Sequence, residues 1–178
     1  MRVLSRLVAA CLLTVLSLVD PGWAQPAGQV TTMLTVKGNV ERELTLSVDD
    51  LKALPVRRVD DVRSVRDSTA AADSEVARHY VGCLLRDVLE RAKPVEKRRF
   101  DLRKSIVIMT ASDGYRAVFS WAELYLSPIG DGALVVYERD GAPLADDEGR
   151  IALVSLKDTR PGPRHVKWLQ SIELRTLE

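Results

Sequence analysis

Two apolar runs fix the kind of core this chain can build. Ser105 to Ala111 (SIVIMTA) and Ala133 to Tyr137 (ALVVY) are β-branched, apolar and too short for buried helices, so both read as buried strands. Asp113-Gly114 turns the first, and Tyr115 to Phe119 returns beside it. A second hairpin is expected where Leu34 and Val36 face Val40, Leu44 and Leu46 across Lys37-Gly38-Asn39. Further strand-like runs are the charged Val56 to Val65, Arg150 to Leu156 after the Asp140-Gly141 turn, and Val166 to Leu174, which finishes the sheet.

The helices predicted between them are short. Ser47 caps Val48 to Leu54, where Asp49 and Asp50 favour the N-terminus through the helix dipole and Pro55 closes the segment. Leu85, Val88, Leu89 and Ala92 recur at spacings of three and four, an amphipathic helix over Leu84 to Ala92. Ser120 and Glu123 form a capping box for Trp121 to Leu126. Asp67 to Arg78, polar and poor in bulky apolar groups, reads as an exposed loop or lid. Val95 to Lys104 reads as a charged linker and not a nucleic-acid arm, because Glu96 and Asp101 interrupt its basic residues. Short helices among many strands, without βαβ regularity, predict an α+β, β-rich mixed sheet domain with short helices.

The chemistry gathers near the C-terminus. Arg160, Arg164, His165 and Lys167 surround Pro161, Gly162 and Pro163. Guanidinium and ammonium groups on a Gly-containing loop suit a phosphate or another oxyanion. On composition alone, a solvated basic turn explains the same cluster. Asp146, Asp147 and Glu148 precede Gly149 and read as an exposed turn. Tyr115, Trp121 and Trp168 read as core aromatics, with a ligand-facing role as the alternative. Two histidines, His79 and His165, make no usual zinc site by themselves, and Ser112 and Ser120 lack a nucleophile-elbow pattern.

Five segments carry a resemblance in order: Leu46 to Leu51 with Leu54-Pro55, Tyr80-Val81-Gly82 leading to Asp87-Val88-Leu89, Ser112 to Tyr115, Asp140 to Leu144 with Glu148-Gly149, and Arg164 to Leu169 with Ile172. Together they resemble the oxidoreductase molybdopterin-binding domain family of the sulfite oxidase type, over about Leu34 to Leu174. The resemblance implies that family's fold and a pocket rimmed by Arg164, Lys167 and His165, with Glu148 and Tyr115 nearby. It also implies a molybdenum–molybdopterin cofactor whose metal is held by a cysteine thiolate, from the segment preceding the aromatic-x-Gly motif. Here Val56 to His79 contains no cysteine, and Arg63, Ser64, Arg66, Asp67 and Ser68 fill the candidate positions. Glu148 stands where the family usually has histidine, which puts an anion near a phosphate-bearing group.

Met1 to Ala24 has a basic start, an apolar run from Leu7 to Val19, and small residues Gly22 and Ala24 before Gln25, which predicts a secretory signal. Processing at Cys11 as a lipoprotein is the alternative. Gln25 to Met33 is a leader and 34–178 a single domain. Arg2 and Arg6 are not adjacent, so the signal is not of the twin-arginine kind that exports pterin enzymes already folded and loaded. Of the chain's 26 Lys and Arg and 25 Asp and Glu, the signal holds Arg2, Arg6 and Asp20, so the remainder is formally neutral. That balance offers no general attraction to nucleic acid or to an anionic membrane. Cys83 is the only cysteine beyond the signal; it reads as a core thiol, or as a thiolate activated at a helix start.

The expectation from sequence is therefore an exported, periplasmic domain with no cofactor or metal, serving as a binding or accessory module for a small anion or a periplasmic protein. It has no nucleic-acid partner and no stable membrane insertion once the signal is removed. The rival is an active molybdopterin-dependent oxidoreductase in which Cys83 or Ser68 substitutes as metal ligand.

Overall fold

The computed structural model describes residues 28–65, 74–160 and 162–178; the predicted signal, the first three residues of the leader, and Arg66, Asp67 and Ser68 lie outside them. Among the described residues, ten strands form two sheets, accompanied by three α-helices. The first has the order β2-β1-β10-β5-β6, built from β1 (Met33–Gly38), β2 (Leu44–Ser47), β5 (Ser105–Ala111), β6 (Arg116–Ser120) and β10 (Leu169–Thr176). All its neighbours are antiparallel except β1 and β10, which run parallel with Thr35 opposite Ser171. The second comprises β3 (Val56–Val65), β4 (Ser74–Leu84), β7 (Ala133–Arg139), β8 (Ala142–Pro143) and β9 (Ala152–Ser155). In it β7 lies between β4 on one side and β8 and β9 on the other.

The two apolar runs are strands for the reason their composition implies. Along β7, Ala133, Val135 and Tyr137 enter the main core, while Leu134 and Val136 join Tyr80, Leu84, Leu144, Ala152 and Val154 in a second cluster on the opposite face. A strand buried on both faces reads as an unbroken apolar run. Helix α2 (Leu85–Ala92) packs against β1, β4 and β7 and so joins the two sheets, burying Leu85, Val88, Leu89 and Ala92 completely. Each such aliphatic side chain contributes about 1.5–3 kcal/mol of burial. Helices α1 (Val48–Lys52) and α3 (Trp121–Tyr125) each start at a serine in a reciprocal capping box, Ser47 with Asp50 and Ser120 with Glu123.

Two expectations are corrected. Ser74 to Arg78, expected in an exposed loop, belongs to β4 and pairs with Val65 to Asp61 of β3. The cross-strand ladder supplies what local hydrophobicity lacks; the rest of the expected loop, 66–73, lies outside the described residues. Cys83, expected at a helix start, is on β4 opposite Val56 and Val135, and the helix begins at Leu85. Gly82 explains the tight fit there: a Cβ at this position would stand 2.2 Å from the Val135 carbonyl oxygen.

Candidate functional site

The turn after β8 carries the predicted acid run. Glu148 N–H donates to Ala145 O (3.0 Å) and Gly149 N–H to Asp146 O (3.2 Å), after which Gly149 takes φ +78. A side chain here is excluded twice, by that dihedral and by Trp168 Cα at 2.8 Å from where a Cβ would be. Trp168 N–H then donates to Glu148 O at 2.8 Å, and Trp168 Nε1 to Asp146 O at 2.8 Å. These bonds fasten the turn to the segment entering β10. Asp146 and Asp147 are exposed as expected, but Glu148 is buried. Its backbone pairing turns it inward and leaves its neighbours in solvent.

Arg139, Lys167 and His165 meet at the Glu148 carboxylate. Oε1 accepts from Arg139 Nη1 at 3.0 Å and lies 3.1 Å from Lys167 Nζ, while Oε2 accepts from His165 Nε2 at 2.9 Å. Burial opposes ionisation of this carboxyl, yet the His165 and Lys167 hydrogen bonds and charges outweigh it and pull the pKa down to about 2. The anion is therefore held by the cations that were expected to grip a ligand.

Arg164 is placed elsewhere. Its guanidinium forks onto both oxygens of Asp158, donates through Nη1 to Glu123 Oε1 at 2.9 Å, and stacks 4.1 Å over the Phe119 ring. Burial lowers its pKa, but the bonds to Asp158 and Glu123 raise it further than burial lowers it. Glu123 uses its other oxygen on the Ser120 cap, so Arg164 ties α3 to the loop before β10. A space of about 10 Å³ lies among Arg78, Tyr80, Ser155, Asp158, Arg164 and His165, and Ser155 Oγ is buried there with no hydrogen-bond partner. That volume matches one water molecule and is far too small for a phosphate.

Tyr115, His165 and Lys167 share an open groove of about 340 Å³ with Asp113, Gly162 and Trp168. Tyr115, 37% exposed, is not a core aromatic; its hydroxyl donates to Pro163 O and pins the loop. Trp121 does pack against the core, stacked 3.8 Å on Tyr125. Thus Glu148, His165 and Lys167 are brought into direct contact, Tyr115 borders the same groove, and Arg164 points into a separate ion-pair cluster. Sequence reasoning missed Arg139, Asp158 and Glu123 as their partners.

Cys83 is fully buried, with Sγ 3.9 Å from Val135 O. Burial, reinforced by Asp87, pushes its thiol up to about 12, so the core-thiol reading stands and the activated thiolate does not. Among the described residues, no group of three or more His, Cys, Asp or Glu side chains could hold a metal ion. No described helix is long and apolar enough to cross a membrane.

A family model described as the oxidoreductase molybdopterin binding domain matches residues 24–178. The sulfane dehydrogenase SoxCD from Paracoccus pantotrophus has a similar crystal structure, with a TM-score of 0.61 at 18% identity. The match covers 82% of this chain and 39% of that one, so the chain spans about two fifths of that relative. No curated protein matches the chain. The likeness to SoxCD is one of fold, in agreement with the mixed sheets and short helices described above.

Proposed function

Because the chain belongs to the oxidoreductase molybdopterin-binding domain family, we propose that it is an exported, periplasmic member working without the molybdenum cofactor, as a binding or accessory module. The observation that carries the reading is Glu148, a buried carboxylate holding Arg139, His165 and Lys167 together. A phosphate brought to these groups would stand against a fixed negative charge, at a cost of about 1–4 kcal/mol per unit of phosphate charge at 4 Å separation.

The residues present do not fit the cofactor in two further respects. A molybdenum ion held by a dithiolene calls for a soft, ionised thiolate, whereas Cys83 is buried on β4 and protonated far above neutral pH. The Ser155 cavity, which does present an unpartnered polar atom, has room for water and not for a phosphate. No catalytic step is assigned through the cofactor. The partner we propose is a small anion or a periplasmic protein meeting the open groove at Tyr115 and Lys167, whose side chain is 40% exposed.

The test is to express the full chain with its own N-terminus in a molybdenum-replete bacterium and recover it from the periplasm. Metal content by mass spectrometry and pterin fluorescence after oxidation are then measured. Absence of both, in folded periplasmic protein, is the expected result. Near-stoichiometric molybdenum and pterin would overturn it in favour of an active oxidoreductase with a non-standard ligand, and retention in the cytoplasm would overturn export.

A further inference from the structure

A second groove, of about 760 Å³, lies between the 97–104 segment and the end of β10. Strand β10 starts beside Trp168 and reaches the groove at Thr176, so the two regions are about 25 Å apart. The floor is a directed hydrogen-bond chain. Asn39 Nδ2 donates to Thr176 Oγ1 (2.7 Å), Thr176 and Ser105 hydroxyls lie 2.9 Å apart, and Ser105 Oγ donates to Asp101 O (2.8 Å). With the Ser105 hydrogen given to Asp101 O, Thr176 must donate to Ser105, and each bond polarises the next. Leu177 N–H to Lys104 O at 3.1 Å closes the end. This floor is fixed.

Lys97, Arg98, Arg99 and Lys104 line the groove together with Asp101 and Glu178, so its walls carry more cations than acids. Lys97, Arg98, Arg99, Arg103 and Lys104 fall within eight residues, interrupted by Asp101 and preceded by Glu96. Both acids turn onto the backbone and keep their charge, so the run holds three more cations than acids. Glu96 Oε1 accepts from Phe100 N–H (2.6 Å), and Asp101 Oδ2 accepts from Arg98 N–H (2.7 Å). Among the described residues none of the five cations forms an ion pair with a carboxylate. Phe100 stands 40% exposed at φ +71, a left-handed conformation that a bulky aromatic rarely adopts. Arg99 and Arg103 each stack on its ring at 4.6 Å. Leu177, 49% exposed, adds an apolar lip.

We infer that this groove binds an acidic segment of a partner protein, its carboxylates on Lys97, Arg98 and Lys104 and an apolar residue against Leu177. The concave, rigid floor admits a chain segment, whereas a flat bilayer would meet only the rim. Cations spread along the wall match carboxylates spaced along a peptide better than one convergent phosphate. Arg is an anchor type that protein interfaces favour, and charge complementarity sets partner choice. The groove lies away from Glu148, so the assignment stands whether or not a cofactor is held there.

The experiment is fluorescence anisotropy of a short labelled peptide alternating glutamate and leucine, titrated with the full chain at low salt. Arg98→Glu with Arg99→Glu should weaken binding by about tenfold or more, and Lys97→Glu by about threefold, while Arg57→Glu with Arg58→Glu on exposed β3 stays within about twofold. Leu177→Asn, at the exposed apolar lip, should also weaken binding, and thermal melts by circular dichroism establish that each variant is folded. No binding of the peptide would overturn the proposal. So would equal weakening by the β3 control, which would mean unspecific attraction. Tighter binding of a DNA oligonucleotide or of anionic phospholipid vesicles, with the same variant dependence, would overturn the choice of a protein partner.

Discussion

The Nε2 of His165 lies 2.9 Å from Oε2 of Glu148, and this contact turns an apparent anion pocket into a closed ion cluster. Arg139 and Lys167 complete it on the other carboxylate oxygen. Because Glu148 is only 7% exposed at its side chain, removing the carboxylate leaves cations without their counter-charge in a partly desolvated place. Glu148→Ala should therefore lower the unfolding free energy by about 3 kcal/mol, within the range for breaking a buried pair. Urea unfolding followed by tryptophan fluorescence checks this; a loss under about 1 kcal/mol would mean the cluster is solvated and weak.

A pH dependence follows from the same carboxyl. Its folded pKa, about 2, lies below the ordinary value of 4.5. A depressed folded pKa contributes stability that is fully present above the unfolded value and is lost as pH falls through the folded one. The window is therefore about pH 4.5 down to 2, and the loss across it should be about 2–3 kcal/mol. Urea midpoints at a series of pH values should show that slope in the native chain and a shallower one in Glu148→Gln.

Arg164 offers a contrasting case, because its two partners come from different parts of the fold. Asp158 shares its loop, whereas Glu123 is the capping residue of α3. Arg164→Ala should cost about 2–4 kcal/mol, since it strands a half-buried Asp158 and removes the stack on Phe119. Arg164→Lys should recover only part of this, because an ammonium cannot fork onto one carboxylate while reaching a second. Thermal unfolding of the two variants side by side gives the comparison.

How much of this was readable in the chain depends on how local the physics is. Ser120 and Glu123 are three residues apart, so their capping box is visible in sequence and present in the fold. Cys83 could be assigned to the core because its neighbours are apolar, although its strand looked like the start of the following helix. The neutralisation of Arg164 was not readable: Glu123 is 41 residues away, and nothing in its own neighbourhood announces a second role. Ser74 to Arg78 failed for a related reason. Its strand character comes from the ladder with β3, a property of the pair and not of either segment. The acids within the 96–104 run look like side-chain ion-pair partners in sequence, whereas in the fold they accept from the backbone of Phe100 and Arg98.

Cys83 supplies the last prediction, which separates a structural thiol from a reactive one. The thiol is fully buried, its pKa is pushed up to about 12, and its Sγ lies against the Val135 carbonyl. At pH 8 almost none of it is thiolate, and no solvent path reaches it. A disulfide-exchange reagent should therefore leave Cys83 unmodified in the folded chain while reacting fully in denaturant. Cys83→Ala removes one buried sulfur, so it should lower stability by about 1–3 kcal/mol while leaving the metal content of protein recovered from cells unchanged. Rapid labelling of the native chain at pH 8 would contradict the burial. Loss of bound molybdenum in Cys83→Ala would show that the sulfur had been a ligand, and the cofactor-free reading would fall with it.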